Sequence, residues 1–228
     1  MVVLAVVLAA MCLFHAPMLR GLVRLLIVDQ PTDDYDCVCL STWGYHADGD
    51  GCYDAAAELY RRKPSCRVLL IATDPNRLEE IGAMPSFESF ARRQLLARHV
   101  PHEALTVLRG EPWNDWANAA ALGAWMNDHP DRRVLVLSEQ FHSGQMRRAI
   151  DDMLRPEAAA AVHMFALRSR DFDDTNWWTS RCGWRAFGNV WLLHLQCRPD
   201  GGDAVKTPRR NADDYERDFL PALPGSAP

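Results

Sequence analysis

Short runs of Val, Leu and Ile alternate with longer amphipathic segments through most of this chain, and that alternation narrowly limits its fold. The apolar runs lack the polar alternation of a half-exposed strand, which is typical of strands buried on both faces of a parallel sheet. The segments between them have the length of helices that connect parallel strands. The sequence therefore predicts an α/β protein: a three-layer αβα sandwich around a Rossmann-like, mostly parallel sheet with right-handed crossovers.

The pattern predicts five strands and five helices within one well-buried domain, for which 228 residues are sufficient. The strands are predicted near Asp36–Leu40, Arg67–Thr73, Leu105–Leu108, Val134–Ser138 and Val162–Ala166. The helices are predicted near Tyr53–Arg62, Phe87–Arg98, Asp115–Asn127, Gly144–Leu154 and Trp184–Gln196. Asn114 precedes the third helix and is a favourable N-cap residue.

The N-terminal region is apolar and uncharged. Met1 to Leu19 contains no Asp, Glu, Lys or Arg and is close to the length of a helix that crosses a bilayer. We expect a membrane anchor over 1–28, a linker over 29–35, the α/β domain over 36–197 and a disordered tail over 198–228, where Gly, Pro, Asp and Arg predominate. Because Arg20 and Arg24 follow the apolar run, the positive-inside rule taken alone places the domain on the cytoplasmic side.

Charge and motifs exclude several classes of function. A net charge of -5 argues against nucleic-acid binding, which needs clustered Lys and Arg. The sequence has neither a GxGxxG fingerprint nor a Walker loop, which are common nucleotide-binding motifs. It also has no HExxH motif and no CxxC pair, so we expect no metal site. Six of the seven cysteines follow the apolar run, which permits three disulfides without requiring them. Cys37 and Cys39 alternate along a predicted strand and are expected on one face as small buried hydrophobes.

Polar side chains follow the predicted strands, and ligands of open α/β sheets bind beyond the carboxyl ends of strands. His142 is the candidate general base, with Glu139 or Asp115 as the carboxylate that orients it. The candidate ligand-binding residues all lie at or just after the carboxyl ends of predicted strands: Trp43, Gly44, Asp74, Asn114, Ser138 and Ser143. A purely structural alternative is that Ser138 and Ser143 cap the following helix and that His142 hydrogen-bonds a neighbouring loop.

The order of these features resembles the YdcF/SanA/ElyC family of bacterial proteins over about residues 36–196. The resemblance is carried by five segments: Ala55 to Tyr60, Leu95 to Pro101, Asn114 to Ala119, Leu137 to Ser143, and Trp177 to Gly183. It implies a Rossmann-like αβα fold and a single-pass tether to the bacterial inner membrane, with the domain facing the envelope. It also implies a role in peptidoglycan or lipid-carrier metabolism, with a small-molecule or lipid-linked envelope precursor as ligand. Some members of the family bind S-adenosylmethionine.

The chain departs from that family pattern at several points. Ser41 to Gly44 replaces the glycine cluster after the first strand, Ala72 to Asp74 replaces Ser-Gly-Gly after the second, and Gln145 replaces the Arg expected three residues after His142. The changes remove groups that would stabilise a phosphate. Three hypotheses remain open: a membrane-anchored envelope enzyme, a non-catalytic binding or scaffold module of the same fold, and a nucleotide or S-adenosylmethionine binder.

Overall fold

A five-stranded sheet in which every neighbouring pair is parallel forms the centre of the molecule. The computed structural model describes residues 15–40, 51–75, 77–83, 85–110 and 114–195. The strands are β1 (Cys37–Leu40), β2 (Arg67–Ala72), β3 (Leu105–Arg109), β4 (Val134–Glu139) and β5 (Val162–Leu167). Their order across the sheet is β3-β2-β1-β4-β5, which confirms the predicted Rossmann-like α/β class.

The helices connect these strands and also precede and follow the sheet. They are α1 (residues 15–24), α2 (Gly51–Arg62), α3 (Arg77–Glu80), α4 (Phe87–Ala97), α5 (Asp115–Asp128), α6 (Ser143–Met153), α7 (Pro156–Ala160) and α8 (Arg181–Leu195). The five predicted helices correspond to α2, α4, α5, α6 and α8. The sequence pattern missed α3 and α7, which are too short to show an amphipathic period.

Helices cover both faces of the sheet. Val38 of β1 and Leu70 of β2 pack under α2 and α4, whereas Cys39 of β1 and Val136 of β4 pack under α5 and α6. Cys37 lies in the same cluster as Cys39, so the prediction that both thiols are buried on one face is confirmed. The cysteines that the structure describes are free thiols: Cys37, Cys39, Cys52, Cys66 and Cys182.

A third apolar cluster joins α1 and α8 to the domain. Val23 and Leu26 pack there against Phe141, Trp177 and Phe187. Part of the segment that the sequence assigns to the anchor is therefore packed against the turn that follows β4. Among the described residues, no helix combines the length and apolarity needed to cross a bilayer. Residues 1–14 and the predicted tail over 198–228 lie outside the described residues.

The chain then runs along the outer edge of β5. The Gln30 N–H donates to the Met164 carbonyl at 2.8 Å, and the Ala166 N–H donates to the Asp29 carboxylate at 3.0 Å. These bonds satisfy backbone groups that an edge strand would otherwise leave open. The beginning of the predicted linker is thus hydrogen-bonded to the sheet.

Candidate functional site

The predicted site lies at the point of the sheet where the connections change sides. The chain leaves β1 toward α2 on one face and leaves β4 toward α6 on the other face. In open α/β sheets the carboxyl ends of two such neighbouring strands border a crevice that binds ligands. β4 ends at Glu139, so the residues from Ser138 to Ser143 stand at this crevice.

A buried imidazole–carboxylate pair is the main polar contact at this edge. His142 is the last residue of a 3-10 turn between β4 and α6, and Asp115 is the first residue of α5. Because α5 and α6 pack side by side, their starting residues meet, and His142 Nε2 lies 2.9 Å from Asp115 Oδ1. Each residue is only 1% exposed. When Nε2–H donates a hydrogen bond to Asp115, the neutral ring has its basic lone pair on Nδ1.

Polar burial in the described part of the chain is concentrated around this pair. The buried polar residues fall in two segments, the first turn of α5 and the junction of β4 with α6, and we name them the buried polar cluster: Asp115, Asn118, Ser138, Gln140, His142, Ser143 and Gln145. Buried polar groups destabilise a protein unless they are paired, so their collection in one place requires a reason. A few convergent polar groups at a switch point are typical of a binding site.

Several atoms of the cluster have no hydrogen-bond partner among the described residues. They are Asp115 Oδ2, both polar atoms of the Asn118 amide, Gln140 Oε1 and Gln145 Oε1. Leaving one such group buried and unpaired costs about 1–3 kcal/mol. A bound ligand or water that supplies partners here would recover part of that free energy.

Sequence reasoning missed Asn118, Gln140 and Gln145. A usable signal existed for two of them, since Asn118 follows Asp115 by three positions and Gln145 follows His142 by three. Residues at that spacing share a helix face. Gln140 carries no such signal, because it lies in the short turn between β4 and α6.

The start of α5 is held by a side-chain cap and by a close backbone approach. Asn114 Oδ1 accepts a hydrogen bond from the Ala117 N–H at 3.1 Å, which confirms the predicted N-cap. A Cβ atom at Gly110, just after β3, would overlap with the Asn118 side chain and with Ile71. Glycine at this position therefore lets α5 begin close to the sheet edge.

The remaining described candidates after β4 differ in their environment. Ser143 is fully buried, and its hydroxyl donates to the Gln140 carbonyl at 2.7 Å and accepts from the Val28 N–H at 2.9 Å. Ser138 is also buried, and Glu139 is half-buried at the end of β4. The N-cap residue of α6 is His142, without a side-chain capping bond, so neither serine caps this helix.

One other described candidate, Asp74, is not brought to the pair. Asp74 is exposed beyond β2, and β1 separates β2 from β4, so the ends of those strands are about 10 Å apart. Trp43 and Gly44 lie outside the described residues. Within the described segments, no group of three or more His, Cys, Asp or Glu side chains is placed to hold a metal ion.

Comparisons with known proteins found no match: neither the family models, nor the curated proteins, nor the solved structures contain a significant relative. The geometry that bears on function is a buried imidazole–carboxylate pair, beside unpaired amides, at the switch point of a parallel sheet.

Proposed function

We propose that this protein is a membrane-anchored, divergent member of the YdcF/SanA/ElyC family that acts in bacterial cell-envelope metabolism. Its ligand is a small-molecule or lipid-linked precursor of peptidoglycan or of the lipid carrier, bound at the carboxyl edge of the sheet. The apolar N-terminal segment tethers the chain to the inner membrane, with the domain on the envelope side. The observation that carries the site is the 2.9 Å contact between His142 and Asp115 beside β4.

His142 acts as the general base in this proposal. Asp115 accepts a hydrogen bond from Nε2–H, holds the ring in one orientation and stabilises the imidazolium that forms when Nδ1 takes a proton from a hydroxyl or water. Glu139 supplies a second carboxylate at the end of β4. Because the ring is 1% exposed, chemistry on a substrate also requires the segments around the pair to move.

The unpaired groups of the buried polar cluster favour a ligand rich in hydroxyls. The amides of Asn118, Gln140 and Gln145 each carry one acceptor and one donor group, and a hydroxyl both donates and accepts. Asp115 Oδ2 adds an acceptor next to His142. A sugar-containing precursor meets this requirement, with the proposed ligand contacts extended by Trp43, Gly44, Asp74, Asn114, Ser138 and Ser143.

Thermal-shift measurements on the full chain test this proposal. The panel contains undecaprenyl-phosphate analogues, peptidoglycan sugars, nucleotides and S-adenosylmethionine, and we expect the Tm to rise with an envelope precursor. A ligand at 100 times its Kd stabilises the folded state by about 2.7 kcal/mol. His142→Asn should abolish the rise, whereas His129→Asn, on an exposed residue after α5, should keep it. A rise that survives in His142→Asn would place the ligand elsewhere.

The burial of the pair favours a second candidate, a non-catalytic binding or scaffold module of the same fold. Asp115 and His142 are both sealed from solvent, as polar pairs with a structural role often are. A ligand that raises the Tm and is recovered unchanged by mass spectrometry after long incubation would support this module over the enzyme. A rise with nucleotides or S-adenosylmethionine alone would support the third hypothesis, a binder of those molecules.

A further inference from the structure

The outer surfaces of α1 and α8 expose an unusual share of large apolar side chains. Of the eight large hydrophobic residues that are exposed in the described part of the chain, Met18, Trp184 and Leu192 lie on these two helices and Leu25 directly follows α1. Trp184 is 51% exposed although it is an indole. Exposed apolar groups gathered on one part of a protein indicate an interaction surface.

The same two helices are purely basic. Residues 15–24 and 181–195 contain Arg20, Arg24, Arg181 and Arg185 but no Asp or Glu, although the whole chain has a net charge of -5. The described acidic contact to this group is Asp174, which lies 3.4 Å from the Arg24 guanidinium. The charge on the helices is therefore complementary to an anionic partner.

The aromatic and basic groups are continuous across the starts of the two helices. Trp184 donates its indole N–H to the Trp178 carbonyl at 2.8 Å. The Arg20 guanidinium lies 5.8 Å from the Trp178 ring centroid, and the His15 ring centroid lies 6.4 Å from it. The uncharged residues 1–14 join the domain at His15, beside this group.

We propose that this surface rests on the anionic face of a lipid bilayer. We call it the interfacial platform and define it by Met18, Arg20, Trp178 and Trp184. Indoles prefer the headgroup region of a membrane, where their flat apolar rings lie at the boundary of the hydrocarbon, and arginines attract anionic headgroups. Trp177 takes no part, because it is buried among the side chains between α1 and α8.

The proposal of an interfacial platform depends on the membrane location proposed above but does not depend on the ligand site at His142. An apolar tether over residues 1–14 would bring the starts of α1 and α8 toward the bilayer. Basic and indole groups are then located where headgroups would lie. This location accounts for exposed indole and aliphatic side chains on helices whose inner faces are already covered by the third apolar cluster.

The test uses the full chain and preformed vesicles of brominated phosphatidylglycerol, which quenches indole fluorescence on contact. We expect the wild-type chain to bind and lose tryptophan fluorescence, with weaker quenching in 0.5 M salt because salt screens the arginines, at a Debye length of roughly 4 Å. Trp184→Ser combined with Arg20→Gln should weaken vesicle affinity about tenfold. Trp125→Ser, on a half-buried indole of α5 that stacks on His129, is the control and should bind as the wild type does.

The outcomes separate the platform from the tether and from self-association. Equal affinity of the Trp184→Ser/Arg20→Gln variant and the wild type would show that the tether acts alone and would overturn the platform. No vesicle binding by the wild type would overturn both membrane proposals, while the thermal-shift result for His142 would stand. A wild-type dimer that becomes monomeric in the Trp184→Ser/Arg20→Gln variant, without vesicle binding, would assign the surface to a second copy of the chain.

Discussion

Asp115 and His142 are 27 positions apart in the chain. Their side chains meet because α5, which begins at Asp115, packs against α6, which begins directly after His142. Each side chain satisfies a polar atom of the other in a place that water does not reach. Removing one partner therefore leaves the other buried and unpaired, whereas removing both leaves a smaller defect. The energetic value of the contact is the coupling between the two residues.

A double-mutant cycle should reveal this coupling. We expect Asp115→Ala and His142→Ala each to lower the free energy of unfolding by about 2–4 kcal/mol. The double variant should lose less than the sum of the two, by about 1–3 kcal/mol. Urea denaturation followed by circular dichroism measures all four proteins. Additive losses would show that the contact contributes nothing to stability.

Two buried thiols should make the fold sensitive to alkali. Burial in the apolar core raises the pKa of Cys37 and that of Cys66 to about 11, from an ordinary 9.0. Each thiol holds its proton more tightly when the chain is folded, so at a pH between about 9 and 11 unfolding releases protons. The free energy of unfolding should then fall as the pH rises from about 9 to 11 and be unaffected by these thiols below about pH 8.

Substitution of the thiols tests this pH dependence. Cys66→Ala should remove part of the decline in the free energy of unfolding, up to about 3 kcal/mol for a two-unit change in pKa. Cys37→Ala should act in the same way. Cys182→Ala is the control, because this thiol is exposed at the start of α8. Denaturation midpoints at pH 7.5 and 10.5 give the comparison, and an unchanged decline in both core variants would contradict the assignment.

At the scale of helices and strands, the sequence pattern predicted the elements of the α/β core closely. Each strand of the structure ends within one residue of its prediction, because runs buried on both faces stand out from their polar flanks. The attachment of α1 was not predictable in this way. Val23 and Leu26 lie in the predicted anchor over 1–28, where an apolar side chain looks the same in sequence whether it faces lipid or packs on Phe141 and Trp177.

The contact between the end of α1 and the start of α6 depends on a missing side chain. The Gly144 N–H donates to the Leu26 carbonyl at 2.9 Å, and a Cβ atom at Gly144 would overlap with that carbonyl. Gly144→Ala should therefore lower the free energy of unfolding by about 1–3 kcal/mol, because backbone atoms must shift. Gly188→Ala is the matched control, since a Cβ at this position of α8 would meet open space.

The two glycine variants should differ in sign. Alanine is the better residue in a helix interior, so Gly188→Ala should raise the free energy of unfolding by about 0.5–1 kcal/mol. Thermal unfolding of both variants beside the wild type measures the difference. A neutral Gly144→Ala would mean that the end of α1 is not held against α6 in solution.

At the scale of the whole molecule, the topology of the sheet placed the predicted site, and helix packing determined its members. The alternation of strands and helices was enough to expect chemistry after β4. Whether Glu139 or Asp115 meets His142 depends on how α5 lies against α6, which no local pattern records. The three-residue spacing puts Asn118 on the helix face of Asp115 and Gln145 on that of His142, but it does not show whether that face meets water or the core.

Removing residues 15–35, which include α1 and the buried Tyr35, should loosen the whole fold. A chain that begins at residue 36 lacks Val23 and Leu26 and leaves Phe141, Trp177 and Phe187 without their cover. We expect its Tm to fall by more than about 5 °C relative to a chain that begins at residue 15, and its binding of a hydrophobic dye to increase. Equal Tm values for the two chains would mean that residues 36–197 form the complete folding unit.

Asp29 and Gln30 also cover an edge strand that a second copy of the chain could otherwise pair with. By occupying the Ala166 amide and the Met164 carbonyl, they deny a foreign chain the hydrogen bonds it would need to extend the sheet beyond β5. If Asp29 and Gln30 detach from β5, its outer edge can pair with a strand of another chain. Fibrillar growth would then start from β5 even while the rest of the molecule keeps its native shape.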